Sequence, residues 1–160
     1  LVKRKDRQFG MVSEKTRKNM QRIRSQDTSI EVLLRNRLWQ DGFRYRKNYK
    51  KLPGSPDIAI TKYKIAIFCD CEFFHGKDWD KLKDRLERGK NPEYWIGHIE
   101  ENMERDRKVN QELAFLDWTV IRFWGQDIKK DLENCIQVIK ETAFEKMIAD
   151  IDEYSLYDEF

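Results

Sequence analysis

No stretch of this chain is apolar over the roughly 20 residues that a membrane-crossing helix needs, and its charged first residues are not followed by a signal-peptide hydrophobic region. A soluble, cytoplasmic protein is therefore expected. Cysteine is scarce: Cys69, Cys71 and Cys135 are odd in number and lack the paired spacing of a zinc site, so neither a disulfide framework nor a cysteine-bound structural metal follows. Low-complexity tracts, long Gly/Ser linkers and internal repeats are absent too, and 160 residues suit a single domain with one core. Net charge is also small, because 32 Lys and Arg nearly balance 29 Asp and Glu.

What is present is an uneven placing of that charge. Residues 1–24 hold nine basic residues against Asp6 and Glu14, whereas residues 141–160 hold seven acidic ones against Lys146. A basic arm beside a mixed-charge body is the footprint of a phosphate-backbone binder, since neutralising phosphates releases condensed counterions. A solvated tail has the same composition, and the acidic end, from about residue 148 to 160, reads as loosely held.

Periodicity orders the elements. Asp27-Thr28 offers a cap ahead of Ile30, Leu33, Leu34 and Leu38, an apolar helix stripe that should stop near Gly42, with Glu31 beside it. Residues 43–49 alternate aromatic and basic side chains as a half-exposed strand would, and Leu52-Pro53-Gly54-Ser55-Pro56 then turns the chain. Residues 57–61 and 64–70 follow as strands. The second is nearly continuous in apolar residues, so it is expected to be central and buried on both faces. Residues 70–91 are polar, with a charged middle suited to a short helix; Asn91-Pro92 opens a long helix reaching Leu116. A strand over 118–124 and a helix from Ile128 through Leu132, Cys135, Ile136 and Ile139 close the order. This succession predicts an α/β fold, a mixed sheet with helices on both faces.

The chemistry gathers at Pro56-Asp57 and, a dozen residues on, at Cys69-Asp70-Cys71-Glu72-Phe73-Phe74-His75. Phosphodiester cleavage uses a hard cation held by one or two carboxylates and the phosphate itself. Carboxylates at adjacent strand ends meet that need, although a Pro-Asp pair taken alone more often begins an ordinary turn.

In these residues the chain resembles the Vsr, or very short patch repair, endonucleases of the restriction-endonuclease-like superfamily, from about residue 13 to 139. The likeness runs in order through Thr16-Arg17-Lys18-Asn19-Met20, Asp27-Thr28-Ser29-Ile30-Glu31, Leu52-Pro53-Gly54-Ser55-Pro56-Asp57 and Phe73-Phe74-His75. Tyr94-Trp95, Asn102-Met103-Glu104-Arg105-Asp106 and Trp118-Thr119-Val120-Ile121 complete it. The resemblance implies a bacterial Mg²⁺-dependent enzyme that nicks duplex DNA 5′ to the thymine of a T:G mismatch, acting as a monomer with mismatch-repair proteins as possible partners. Asp57 falls on the family's metal-binding aspartate and Cys69 on a position whose backbone carbonyl touches metal. Glu31 matches a carboxylate bound to metal through water, His75 the histidine that activates the attacking water, and Asp106 the acid that orients it. Phe73, Phe74 and Trp95 match aromatics that wedge beside the mismatch, and Arg17, Lys18 and Asn19 fall in a DNA-contacting segment. Each also has an ordinary reading. Acidic residues on helices are mostly solvated, aromatic residues are mostly core, and His98 reads as a polar surface residue.

Two positions depart from the family. Glu72, Lys77, Trp79 and Gln126 stand where the type sequence binds a structural zinc, and they are a poor zinc set, so no zinc is expected. Asp70 stands in place of a histidine and adds a carboxylate, a further candidate catalytic and metal-ligating residue. That change keeps open a restriction or homing-type nuclease on the same scaffold. A non-catalytic DNA-binding module is a third possibility, disfavoured because clustered carboxylates repel phosphate without a cation.

Overall fold

The computed structural model describes residues 12–157. Its elements follow in the order α1 (Glu14–Arg22), α2 (Ser29–Gln40), β1 (Arg46–Lys47), β2 (Ile58–Ile60), β3 (Ile65–Asp70), α3 (Trp79–Glu87), α4 (Pro92–Phe115), β4 (Thr119–Trp124), α5 (Gly125–Lys130) and α6 (Leu132–Tyr157). The described residues form two compact units, one of residues 26–70 with 109–157 and one of residues 12–25 with 71–108. The first eleven residues of the basic arm and the last three of the acidic tail lie outside the described residues. Among the described residues no helix is long and apolar enough to cross a membrane.

The larger unit is built on one sheet of order β1-β2-β3-β4, antiparallel from β1 to β3 and parallel between β3 and β4. Alternation along the strands sends their side chains to two cores. Ile58 and Ile60, Ile65 and Ile67, and Ile121 and Phe123 pack with Leu34 and Leu38 of α2, Ile128 of α5, and Ile136 and Ile139 of α6. Ala66 and Phe68 point the other way onto Leu113 in α4, where Val109, Trp118 and Val120 also pack. Strand β3 is therefore central and covered on both faces, as its continuous apolar run predicts.

Three local outcomes differ from the sequence reading. The strand over 43–49 shrinks to Arg46–Lys47, because Asn48 takes φ 47°, a left-handed conformation that breaks a strand. The N–H groups of Asn48 and Tyr49 instead donate to the carbonyls of Asp57 and Pro56, both at 2.9 Å, which pins the turn before β2. The closing helix is two helices, since Asp131 at φ −142° and ψ 63° ends α5, and its Oδ1 accepts from the Asn134 N–H at 3.2 Å to start α6. On α2 the buried stripe is Glu31, Leu34 and Leu38, while Leu33 is exposed. A carboxylate thus occupies a core position.

Gly54 makes the turn ahead of Asp57 possible. It adopts φ +73°, and a Cβ there would lie 2.5 Å from Val109 Cγ1. Gly54→Ala is therefore expected to destabilise the fold by about 2 kcal/mol or more, through strain and overpacking together, read as a lowered urea midpoint at unchanged slope.

In the smaller unit the described part of the basic arm is helical. Ser13 caps α1, accepting the Thr16 N–H at 3.2 Å, and the Tyr94 hydroxyl in α4 lies 3.6 Å from Met20 Sδ. Pro92 is the first residue of α4, where its fixed φ suits the helix and its missing N–H costs nothing.

Candidate active site

Antiparallel pairing of β2 with β3 places Ile58 opposite Ile67, so the start of β2 meets the end of β3. There Asp57 Oδ2 accepts the Cys69 backbone N–H at 2.7 Å. A charge-assisted bond of that length holds the carboxylate at the strand end. Glu31 approaches from α2, 4% exposed, its Oε2 accepting the Thr28 N–H at 3.2 Å. That bond caps the helix and fixes the side chain.

The Cys69 thiol reports on this cluster. Burial, and then the charges of Asp57, Glu31 and Asp70, push its ionisation far above the ordinary thiol range. Both effects disfavour the thiolate, the form in which a cysteine binds metal. Oxygen donors remain: the carboxylates of Asp57, Glu31 and Asp70 and the Cys69 carbonyl. Such a set fits a hard divalent cation such as Mg²⁺ rather than a thiophilic one.

The raised thiol has a measurable consequence. Its contribution to stability is complete below the unfolded thiol's pKa of about 8.5 and is lost as pH rises above it, because only the unfolded chain ionises there. Cys69→Ser should therefore lose about 1–2 kcal/mol less stability than the parent between about pH 8.5 and 10, measured by urea unfolding at each pH in the presence of EDTA.

Asp70, the last residue of β3, is 5% exposed and paired. Arg122 Nη1 donates to its Oδ2 at 3.1 Å and its Oδ1 at 3.3 Å. The same guanidinium lies 4.1 Å over the Phe68 ring and donates from Nε to Asn110 Oδ1 at 2.8 Å. The parallel register sets Phe68 beside Arg122, so the strand pairing brings the cation to the carboxylate. Sequence reading missed Arg122; the one signal available was a charge inside the otherwise apolar Val120-Ile121-Arg122-Phe123-Trp124.

The smaller unit carries the second constellation, and one face of α4 organises it. Trp95, His98, Asn102 and Asp106 recur at helical spacing. Trp95 meets the Phe73 ring edge-on at 5.4 Å, His98 meets Phe74 at 6.3 Å, and Asn102 Nδ2 donates to the Phe74 carbonyl at 2.9 Å. Asp106 Oδ2 lies 2.6 Å from His75 Nδ1. Because an ionised carboxylate only accepts, Nδ1 carries the proton of this bond. Phe73, Phe74 and Trp95 are half-buried in this cluster. The expectation for His98 is overturned outright: it is 8% exposed and stacks on Tyr94 at 5.9 Å. A lone histidine in sequence gives no sign of the aromatic rings that will enclose it. Close packing extends to Gly76 at φ +71°, where a Cβ would lie 2.5 Å from Met103 Sδ.

Arg17, Lys18 and Asn19 are exposed on α1, with Lys18 3.3 Å from Glu14. An exposed pair of this kind contributes little to stability, so these side chains are available to solution.

A mixed sheet flanked by helices, with the Asp70 carboxylate at the end of its central strand, is the restriction-endonuclease-like fold. Comparison with known proteins takes the assignment further. The family model described as DNA mismatch endonuclease Vsr matches residues 11–81. The chain is 43% identical over 125 residues to Type II nicking enzyme V.HpaIIP of Haemophilus parainfluenzae, spanning 78% of this chain and 87% of that protein. It is 38% identical over 136 residues to Type II nicking enzyme V.NmeDIP of Neisseria meningitidis serogroup C, spanning 85% and 90%. With DNA mismatch endonuclease Vsr of Escherichia coli (strain K12) it shares 35% over 107 residues, 67% of each chain. The protein belongs to the Vsr family. It is a DNA endonuclease.

Proposed function

We propose that the protein nicks duplex DNA 5′ to the thymine of a T:G mismatch, in a Mg²⁺-dependent reaction of very short patch repair. The observation that carries the mismatch reading is the ring cluster of Phe73, Phe74 and Trp95, joined edge to face at 5.2 and 5.4 Å. Aromatic wedges unstack base steps at a cost of a few kcal/mol, lower where pairing is already defective, so such a cluster selects mismatches without a base code. Membership of a family with a mismatch endonuclease among its members supports the same reading.

In this proposal Asp57, the Cys69 carbonyl, Asp70 and, through a water, Glu31 hold the ion. When bound it supplies charge stabilisation to the scissile phosphate and lowers the pKa of water. His75 takes the proton of the attacking water on Nε2, and Asp106 keeps the ring in the tautomer that permits this. Phe73, Phe74 and Trp95 enter the stack, while Arg17, Lys18 and Asn19 meet the backbone. The protein works as a monomer, with mismatch-repair proteins as partners.

The relatives named as Type II nicking enzymes support a second reading, a nuclease directed by sequence. End-labelled duplexes differing only in a T:G or C:G pair, incubated with Mg²⁺ and protein or the Asp57→Ala variant, separate the two. Nicking confined to the mismatched duplex and lost in the variant is expected. Equal cutting of both duplexes would transfer the assignment to the second reading.

A further inference from the structure

One basic segment of the larger unit has no part in the reaction as proposed. Arg44, Arg46, Lys47, Lys50 and Lys51 fall within residues 44–51, a stretch with no acidic side chain, and all five are exposed. Strand pairing fixes the segment beside Asp57. β1 lies at the edge of the sheet and sets Arg46 opposite Ala59 and Lys47 opposite Ile58. The following N–H groups, of Asn48 and Tyr49, donate to the carbonyls of Asp57 and Pro56 at 2.9 Å. Lys50 and Lys51 are the two central residues of a turn that the Leu52 N–H closes on the Tyr49 carbonyl at 3.3 Å. Asp27 feels the charge of Lys47, but its carboxylate is paired with Arg35 at 2.6 Å and accepts from Asn48 at 3.4 Å. Arg44 stands apart, because its guanidinium lies 3.7 Å over the Trp39 ring and donates to the Phe43 carbonyl at 3.0 Å. Four exposed cations are thus held together by backbone bonds, in spite of their mutual repulsion.

We propose that Arg46, Lys47, Lys50 and Lys51 are a docking surface for backbone phosphates of duplex DNA, beside the phosphate that the reading above sets at Asp57. Exposed ammonium and guanidinium groups at short intervals suit a regularly spaced polyanion and need no base code. Their backbone is tied to that of Asp57, so phosphates held there bring the neighbouring one into register with the carboxylate. Lysine on an edge strand also deters pairing with other chains, yet Lys50 and Lys51 lie in the turn beyond β1, where edge protection has no use for them. The inference rests on the reading above only for which phosphates are held; DNA binding itself follows from the endonuclease assignment and is indifferent to mismatch specificity.

The test is duplex binding by the full chain, followed by anisotropy as KCl is varied above a low, fixed Ca²⁺ concentration, on T:G and C:G duplexes alike. Each phosphate neutralised by a lysine or arginine contributes about −0.9 to the slope of log K against log salt. Arg46→Gln/Lys47→Gln and Lys50→Gln/Lys51→Gln should therefore each make the slope shallower by about 2 and weaken binding about tenfold or more at roughly 0.1 M KCl, equally on both duplexes. The control is Lys62→Gln/Lys64→Gln, which removes the same charge from the turn between β2 and β3, at the end of β2 away from Asp57, and should keep the parental slope. A control that loses as much as the test pairs would show an effect of net charge alone and overturns the proposal. So does a parental slope in Lys50→Gln/Lys51→Gln, which decides by itself should the β1 pair fail to fold, because exposed turn side chains contribute little to stability. Single methylphosphonate linkages walked along both strands then locate the contacts: the parent should lose affinity at linkages next to the nick, and Lys50→Gln/Lys51→Gln should not. Sensitive linkages remote from the nick would overturn the placement beside Asp57, separately from the binding itself.

Discussion

Asp57→Asn is expected to fold normally and to cut DNA at least about 1,000 times more slowly than the parent, a loss of roughly 4 kcal/mol of transition-state stabilisation. The two halves of this expectation have different causes. An asparagine Oδ1 still accepts the Cys69 N–H, which Asp57 Oδ2 meets at 2.7 Å, so the junction of β2 and β3 keeps its tie. The negative charge goes, and with it the anchor that the proposed reaction assigns to its cation. Single-turnover nicking of an end-labelled duplex, run beside a thermal melt, checks both halves at once. A variant that cuts at parental rates would remove Asp57 from the chemistry, and one that fails to fold would show that its charge is structural. Raising Mg²⁺ should recover little activity, because the deficit is a missing ligand.

His75→Ala and Asp106→Asn are expected to converge on similar losses, each about 10²–10⁴-fold in single-turnover rate, the usual worth of a positioned proton acceptor. The alanine variant removes the base. The asparagine variant keeps it but presents a side-chain amide that can donate to Nδ1, which favours the tautomer carrying its proton on Nε2, where the water's proton must go. Because the two residues act through one hydrogen bond of 2.6 Å, the double variant should be little worse than either single one. Additive losses would mean that Asp106 serves some other purpose. Binding of mismatched duplex, followed by anisotropy in Ca²⁺, should change by less than about threefold in all three proteins, since the phenylalanines and Trp95 are untouched.

Much of the architecture was legible because it rests on local periodicity. The apolar run of residues 65–69 predicts a strand covered on both faces, and the two cores around β3 bear this out. Thr28 and Pro92 mark helix starts through chemistry that acts within four residues. Where local rules failed, a backbone conformation intervened: Asn48 at φ 47° cut short a strand that alternation alone would extend, and Asp131 broke a helix whose stripe continues across it. Periodicity reports which face is apolar and is silent about a single residue that leaves the regular dihedrals.

At the site, Asp57 stood out by its place at a turn ahead of a strand, whereas Glu31, His75, Asp106 and the three aromatics were nominated by the resemblance to the Vsr family, each having an ordinary reading by itself. Partnerships were another matter. His98 looked like surface until Tyr94 and Phe74 enclosed it, and Asn102 gave no hint of the Phe74 carbonyl that it holds. Asp70 read as an unopposed carboxylate until the parallel pairing of β3 with β4 brought in Arg122 from 52 residues away. The sequence by itself determined the central strand and the starts of helices such as α2 and α4, and it nominated the residues proposed to cut DNA, all through properties of short segments and side-chain chemistry. Which charges are cancelled, which rings are stacked and which thiol is silenced was decided only by the tertiary structure, because burial and strand register join residues that no local pattern connects.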